Sequence, residues 1–163
     1  MATIHRDDQV IETGLTELVG KDEQIAQNEY GASVAVDINR TQSGGLITSV
    51  LLVQTEEDSG AILSVAGELL IFDEDPAVSA GDAALTAAEW KTCVGKVTVA
   101  AGDWITDGNG GIAYFANTDI GFHQADKLWL VFKLTSATSI NSGATDDEVL
   151  ECNIWYTNAV PGR

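Results

Sequence analysis

Apolar residues recur with a period of two along most of this chain. Val34, Val36 and Ile38 share one side of the stretch 32–38, and Leu128, Leu130, Phe132 and Leu134 share one side of 127–134. Leu150, Cys152, Ile154 and Tyr156 do the same in 149–157. Such alternation is the signature of half-buried β-strands. Further strands are expected at 46–53, 61–72, 96–100 and 112–116, from their content of β-branched and aliphatic residues. The acidic, Gly-containing turn Glu56–Gly60 predicts that 46–53 and 61–72 form a hairpin. Pro76 ends the second of these runs, because it cannot donate to a ladder. Asn109-Gly110 suits a type I′ turn ahead of 112–116, since both of its positions need positive φ.

Two stretches break the pattern. The segment of about 82–92 reads as a short helix, with Asp82 as N-cap, alanines at 83, 84, 87 and 88, Leu85 and Trp90 as apolar anchors, and Gly95 near its end. Trp90 is expected to pack on the sandwich. Residues 1–27 are the most polar part of the chain. Ile11, Leu15 and Leu18 there mark either one short helical face or an extended arm that orders against something else. About eight strands with turn signals between them and one connecting helix argue an all-β, antiparallel β-sandwich rather than βαβ units. The expected organisation is an N-terminal arm, 1–27, followed by a single β-sandwich domain, 28–163. A chain of 163 residues suits one domain, with roughly 70% of its unfolded surface buried.

Charge narrows the range of partners. There are 25 Asp and Glu against 8 Lys and Arg, for a formal net charge of −17. An apolar content of 45% separates the chain from acidic disordered tails. Phosphate contacts need Lys and Arg, so no nucleic-acid partner is expected. Anionic membranes are disfavoured for the same reason. Residues 1–10 hold no apolar core of a signal peptide, and no apolar run approaches the length of a membrane span. The expectation is a soluble chain made inside the cell. Cys93 and Cys152 form no Cys-x-x-Cys pair, so they read as two buried free thiols or as a single disulfide.

Catalytic templates are not matched. There is no Gly-x-Ser-x-Gly elbow, and Gly14 to Lys21 lacks the spacing and the Ser or Thr of a phosphate-binding loop. Of the two histidines, His5 falls in the arm and His123 in a loop. Carboxylates are too numerous for chance pairs to indicate a glycoside hydrolase. Asp73-Glu74-Asp75, Asp103 with Asp107 and Asn109, and Asp146-Asp147-Glu148 are oxygen-rich loops of the kind calcium uses, or simply solvated turns. No cofactor is expected. Trp129 and Trp155 fall opposite the core faces of their strands, and Trp104 lies beside the Gly-rich turn. These three tryptophans are candidate contacts for another subunit or for a sugar ring.

The order of segments also carries a resemblance. Gly67-Glu68-Leu69-Leu70-Ile71-Phe72-Asp73-Glu74-Asp75-Pro76, the segment 82–90, Gly95-Lys96-Val97-Thr98-Val99 and Gly102-Asp103-Trp104 follow one another, and strands at 128–134 and 150–156 close the chain. Over about 45–157 this resembles the small jelly-roll decoration (cement) proteins on the heads of tailed bacteriophages. The resemblance implies a jelly-roll sandwich on the outer capsid surface, made in the host cytoplasm and without enzymatic activity. It implies the major capsid protein and further copies of the chain, as homodimer or homotrimer, as partners. Bridging of capsid subunits would stabilise the shell. The arm residues Ile4, His5, Arg6, Val10 and Ile11 then join Trp104, Trp129 and Trp155 as expected contacts. A carbohydrate-binding β-sandwich module is the alternative function.

Overall fold

The computed structural model describes residues 10–38, 44–56, 64–107, 110–123, 126–141 and 147–158. Ten strands are present among them: β1 (Ile11–Glu12), β2 (Thr16–Val19), β3 (Val34–Asp37), β4 (Gly45–Glu56), β5 (Gly67–Phe72), β6 (Cys93–Val99), β7 (Ile105–Asp107), β8 (Gly110–Phe122), β9 (Lys127–Leu134) and β10 (Glu148–Asn158). One sheet runs β1-β10-β4-β8-β7, with β2 also on β10; the other runs β3-β9-β5-β6. Every described pairing is antiparallel.

The order of pairing follows from one long hairpin, folded between β5 and β6 and then rolled up. Its arms pair as β5 with β6, β4 with β8, β3 with β9 and β2 with β10. Rolling adds the lateral pairs β10 with β4 and β5 with β9. Two four-stranded sets, β2-β10-β4-β8 and β3-β9-β5-β6, thus face each other as a jelly roll. β1 and β7 are short additions at the rims.

Alternation places the core between the sheets. Val50, Leu52, Leu150, Cys152, Ile154 and Tyr156 point inward from one sheet, and Leu69, Ile71, Leu128, Leu130, Phe132 and Leu134 from the other. All are 1% exposed or less. Phe122 and Tyr156 meet edge to face in this core, with ring centroids 6.0 Å apart. The all-β antiparallel sandwich expected from the period-two pattern is therefore the observed fold.

Three expectations are corrected. Residues 46–53 and 61–72 do not form a hairpin, because β4 and β5 lie in different sheets. Their apolar faces oppose each other across the core instead. The helix is far shorter than 82–92: α1 spans only Ala87–Trp90, with no buried residue, and Trp90 is 47% exposed rather than packed. Asp82 is not its cap, since the side chain of Asp82 accepts from the Ser79 amide and its backbone bridges Tyr30. Thr86 and Glu89 form the capping box in its place. Thirdly, the expected arm of 1–27 is sandwich over its second half. β1 and β2 pair with β10, and Leu18, Val19 and Ile25 are buried in the main core. The apolar residues at 11, 15 and 18 serve strands and their connection, not a helical face. Residues 1–9 lie outside the described residues.

A buried polar knot ties this N-terminal part down. Asn141 Nδ2 donates to the carbonyls of Gly20, Glu23 and Glu148, and Asn141 Oδ1 accepts from the Glu148 amide. The Asn141 amide in turn donates to Glu148 Oε2 at 2.9 Å. One side chain thereby joins the β2 turn, the segment before β10 and β10 itself.

Candidate interaction face

The two sheets treat their outer surfaces differently. On β5 and β9 the outward residues Leu70, Phe72 and Val131 are fully buried. Tyr30 and Val78 cover them, with Leu85, Cys93 and Trp129 packed around. The cover is the connection between β5 and β6 together with the segment ahead of β3, joined by backbone bonds from Tyr30 to Asp82 and from Ser33 to Val78. Trp129 thus belongs to a second small core made by the chain itself.

No described segment covers the matching region of the six-stranded sheet. Register defines its outer rows. Ile105 of β7 lies opposite Ile112 of β8, Ile112 opposite Val53 of β4, Val53 opposite Glu151 of β10, and Glu151 opposite Glu17 of β2. In the next row Tyr114 lies opposite Leu51, and Leu51 opposite Asn153. Beyond it Ser49 lies opposite Trp155, and Trp155 opposite Glu12. Ile105 is 75% exposed, Tyr114 58% and Ile112 43%. Single exposed apolar residues are ordinary, but a contiguous set in register marks an interaction surface.

The face is graded. Its β7-β8-β4 half is apolar, whereas its β10-β2 half is polar and acidic. Asn153, only 4% exposed, is satisfied there by Glu12 Oε1 at 2.6 Å and by the Thr13 hydroxyl. Tyr114 and Trp155 reach toward each other over β4, edge to face at 6.2 Å. Glu17 and Glu151 are directly opposed like charges. No strand of this sheet contains a Lys or Arg; Lys96, Lys127 and Lys133 all sit on β6 and β9.

The expected contact residues separate in this light. Trp155 is half-buried on the open face, whereas Ile11, opposite the inward Tyr156, is half-buried against the main core. Val10, just ahead of β1, is 52% exposed. Trp104 is not a surface contact: it is 8% exposed within the main core, and its Nε1 donates to the Val65 carbonyl at 2.8 Å. Trp129 lies on the other sheet under the chain's own cover. Ile4, His5 and Arg6 lie outside the described residues. The residues that sequence reasoning missed are Ile105, Ile112, Tyr114, Leu51 and Val53. A signal was available in Gly111-Ile112-Ala113-Tyr114, where small residues alternate with large ones. Small Gly111 and Ala113 face the core, so the large residues face out.

The remaining candidates are structural. Asp75 accepts from the Ala77 amide and the Ser33 hydroxyl, and Asp103 from the Ala100 amide, so these carboxylates close turns. Among the described residues no group of three His, Cys, Asp or Glu side chains is arranged to hold a metal ion. Both cysteines are free. Burial pushes the Cys152 thiol far above its ordinary range, and burial also raises Cys93, against hydrogen bonds with the Gly95 and Ile71 backbone. Cys152 lies inside the sandwich, where it acts as a small hydrophobe rather than a nucleophile. No helix among the described residues is long and apolar enough to cross a membrane.

No protein-family model and no curated protein sequence matches the chain. Among solved structures, a chain in the three-dimensional structure of Cocksfoot mottle virus is similar at 10% identity and a TM-score of 0.27, over 98% of this chain and 88% of that one.

Proposed function

We propose that this chain is a structural protein of a virion, which decorates the outer surface of a bacteriophage head and bridges its capsid subunits. The observation that carries the reading is the uncovered apolar face around Ile105, Ile112 and Tyr114, on a jelly roll that covers the corresponding region of its other sheet with its own chain. The resemblance of about residues 45–157 to decoration proteins supplies the kind of partner, the major capsid protein. Binding to the assembled shell stabilises it by mass action. Self-association into a homodimer or homotrimer would multiply weak contacts through effective concentration. Residues 1–9, with Ile4, His5 and Arg6, are proposed as a second contact; they precede β1 in the sequence.

Co-expression with the capsid protein encoded in the same genome tests the reading. The chain should co-purify with assembled shells and raise their disruption temperature. Removal of residues 2–9 should lower occupancy and leave the sandwich folded. Shells that form normally but carry none of the wild-type chain would contradict it.

A second reading, a carbohydrate-binding module, draws on the exposed ring of Tyr114 beside Trp155. Aromatic faces of this kind stack on sugar rings. Glycan-array binding lost on Tyr114→Ala would favour it.

A further inference from the structure

The distribution of charge says what kind of surface the open face accepts. Resting on the decoration reading, we infer that the outer face of the six-stranded sheet docks a basic-rimmed apolar surface of a different protein, not a second copy of this chain.

Three observations converge. First, the apolar half, Ile105, Ile112, Tyr114, Leu51 and Val53, is contiguous in register and meets Trp155 of β10 through the Tyr114 ring, so a flat apolar partner can cover it at once. Second, every charged residue on the strands of this sheet is acidic, and Lys21 stands beyond them in the turn after β2, beside Glu17. Glu12, Glu17 and Glu151 lie on one side and Asp107 on the other, and no strand of this sheet contributes a base. Glu17 and Glu151 repel each other across the ladder, so a cation brought between them relieves an existing cost. Third, the chain's own bases on the opposite sheet are already engaged. Lys96 pairs with Glu68, Lys127 with Asp37 at 3.5 Å, and Lys133 lies 5.2 Å above the Tyr30 ring.

These facts discriminate between occupants. A two-fold dimer through this face would set like rims against each other, because such an interface is self-complementary only in shape here. Front-to-back stacking of copies would require Lys96, Lys127 or Lys133 to leave an existing partner. A foreign surface with free Lys or Arg around an apolar centre meets neither obstacle. Charge complementarity of this sort speeds encounter and rejects wrong partners.

Calorimetric titration of the full chain with two strand-length peptides provides the test, one alternating lysine with leucine and the other glutamate with leucine. The lysine peptide should bind and the glutamate peptide should not. Raising salt from about 0.1 to about 1 M shortens the Debye length from about 10 to about 3 Å, and should weaken binding about tenfold or more. The double variant Ile105→Ser, Tyr114→Ser, with the far-UV spectrum and melting curve of the wild type as controls, should weaken binding to a similar degree. Equal binding of both peptides, or lysine-peptide binding unchanged in the double variant, would overturn the inference. So would a dimer in sedimentation equilibrium that the double variant dissolves. Decorated shells with no peptide binding would overturn this partner chemistry alone; peptide binding with bare shells would leave it standing and overturn the capsid reading.

Discussion

Tyr114 on β8 and Trp155 on β10 meet edge to face across β4, with ring centroids 6.2 Å apart and planes at 76°. They are the two ends of an aromatic bridge laid over Leu51 and Ser49, on the side of the sheet that faces away from the core. A pair in this geometry contributes about 0.5–1.5 kcal/mol beyond its buried area. A double-mutant cycle of Tyr114→Ala and Trp155→Ala, read by thermal unfolding, should return a coupling of that size. Tyr114→Ala alone should cost little beyond that coupling, because the ring is more than half exposed. A coupling near zero would mean that the bridge does not form in solution.

Gly67 at the start of β5 tests the packing of the covered sheet. A Cβ there would lie 2.3 Å from Cζ of Phe132 and 2.6 Å from the Lys133 carbonyl oxygen. Cζ lies on the axis about which the fully buried ring turns, and the carbonyl belongs to the β5-β9 ladder, so neither moves aside freely. Gly67→Ala should therefore destabilise the sandwich by about 1–3 kcal/mol, as overpacking does, seen as a lower denaturation midpoint in urea. An unchanged midpoint would show that β9 yields at no cost.

Asn141 carries the polar knot that ties the β2 turn to β10. It sits at φ 52°, a conformation that asparagine tolerates better than most residues. Asn141→Ala removes four side-chain hydrogen bonds and leaves three carbonyls without that donor, for a loss of about 3 kcal/mol. Asn141→Gly accepts the backbone angle but not the bonds, so it should recover only a minor part of the loss. Full recovery by glycine would assign the residue a purely backbone role.

Thiol chemistry reports the interior directly. Cys152 should resist alkylation in the native state and react after unfolding, and Cys93, partly accessible, should react first but slowly. Both thiols hold their protons more tightly folded than unfolded, by burial above an ordinary value of 9.0. Their contribution is therefore intact below about pH 9 and declines as pH rises beyond it, since the unfolded chain ionises first. Urea midpoints between pH 7 and 10 check the sign; a rise in stability over that window would contradict it.

Much of the sandwich was legible in the period-two runs, because a sheet with one buried face must alternate. Residues 127–134 are the clearest case, with the strand limits falling where the pattern placed them. Connectivity was not legible. Alternation assigns a face to Val50 and to Ile71 but cannot say whether they share a sheet or oppose each other across the core. The helix was overdrawn because alanine-rich composition at 83–88 speaks only for local propensity, while Asp82 is drawn into a turn and a bridge to Tyr30. The open face was half legible. Trp155 stands out against its strand, but the run 112–116 reads only as a strand with no face assigned, and in the structure Ala113 is its inward residue. Trp104 misled for the opposite reason: its position beside a Gly-rich turn suggested exposure, and a single indole hydrogen bond to Val65 holds it inside.

The central claim is that this jelly roll sits on a capsid through the outer face of its six-stranded sheet. Electron cryomicroscopy of shells assembled with the wild-type chain tests it most directly, with shells assembled with the double variant Ile105→Ser, Tyr114→Ser imaged beside them. The account predicts density for the sandwich on the outer surface, with Ile105, Ile112 and Tyr114 toward the shell, and loss of that density with the variant. Density that places the β3-β9-β5-β6 sheet against the shell, or full occupancy by the variant, would contradict it.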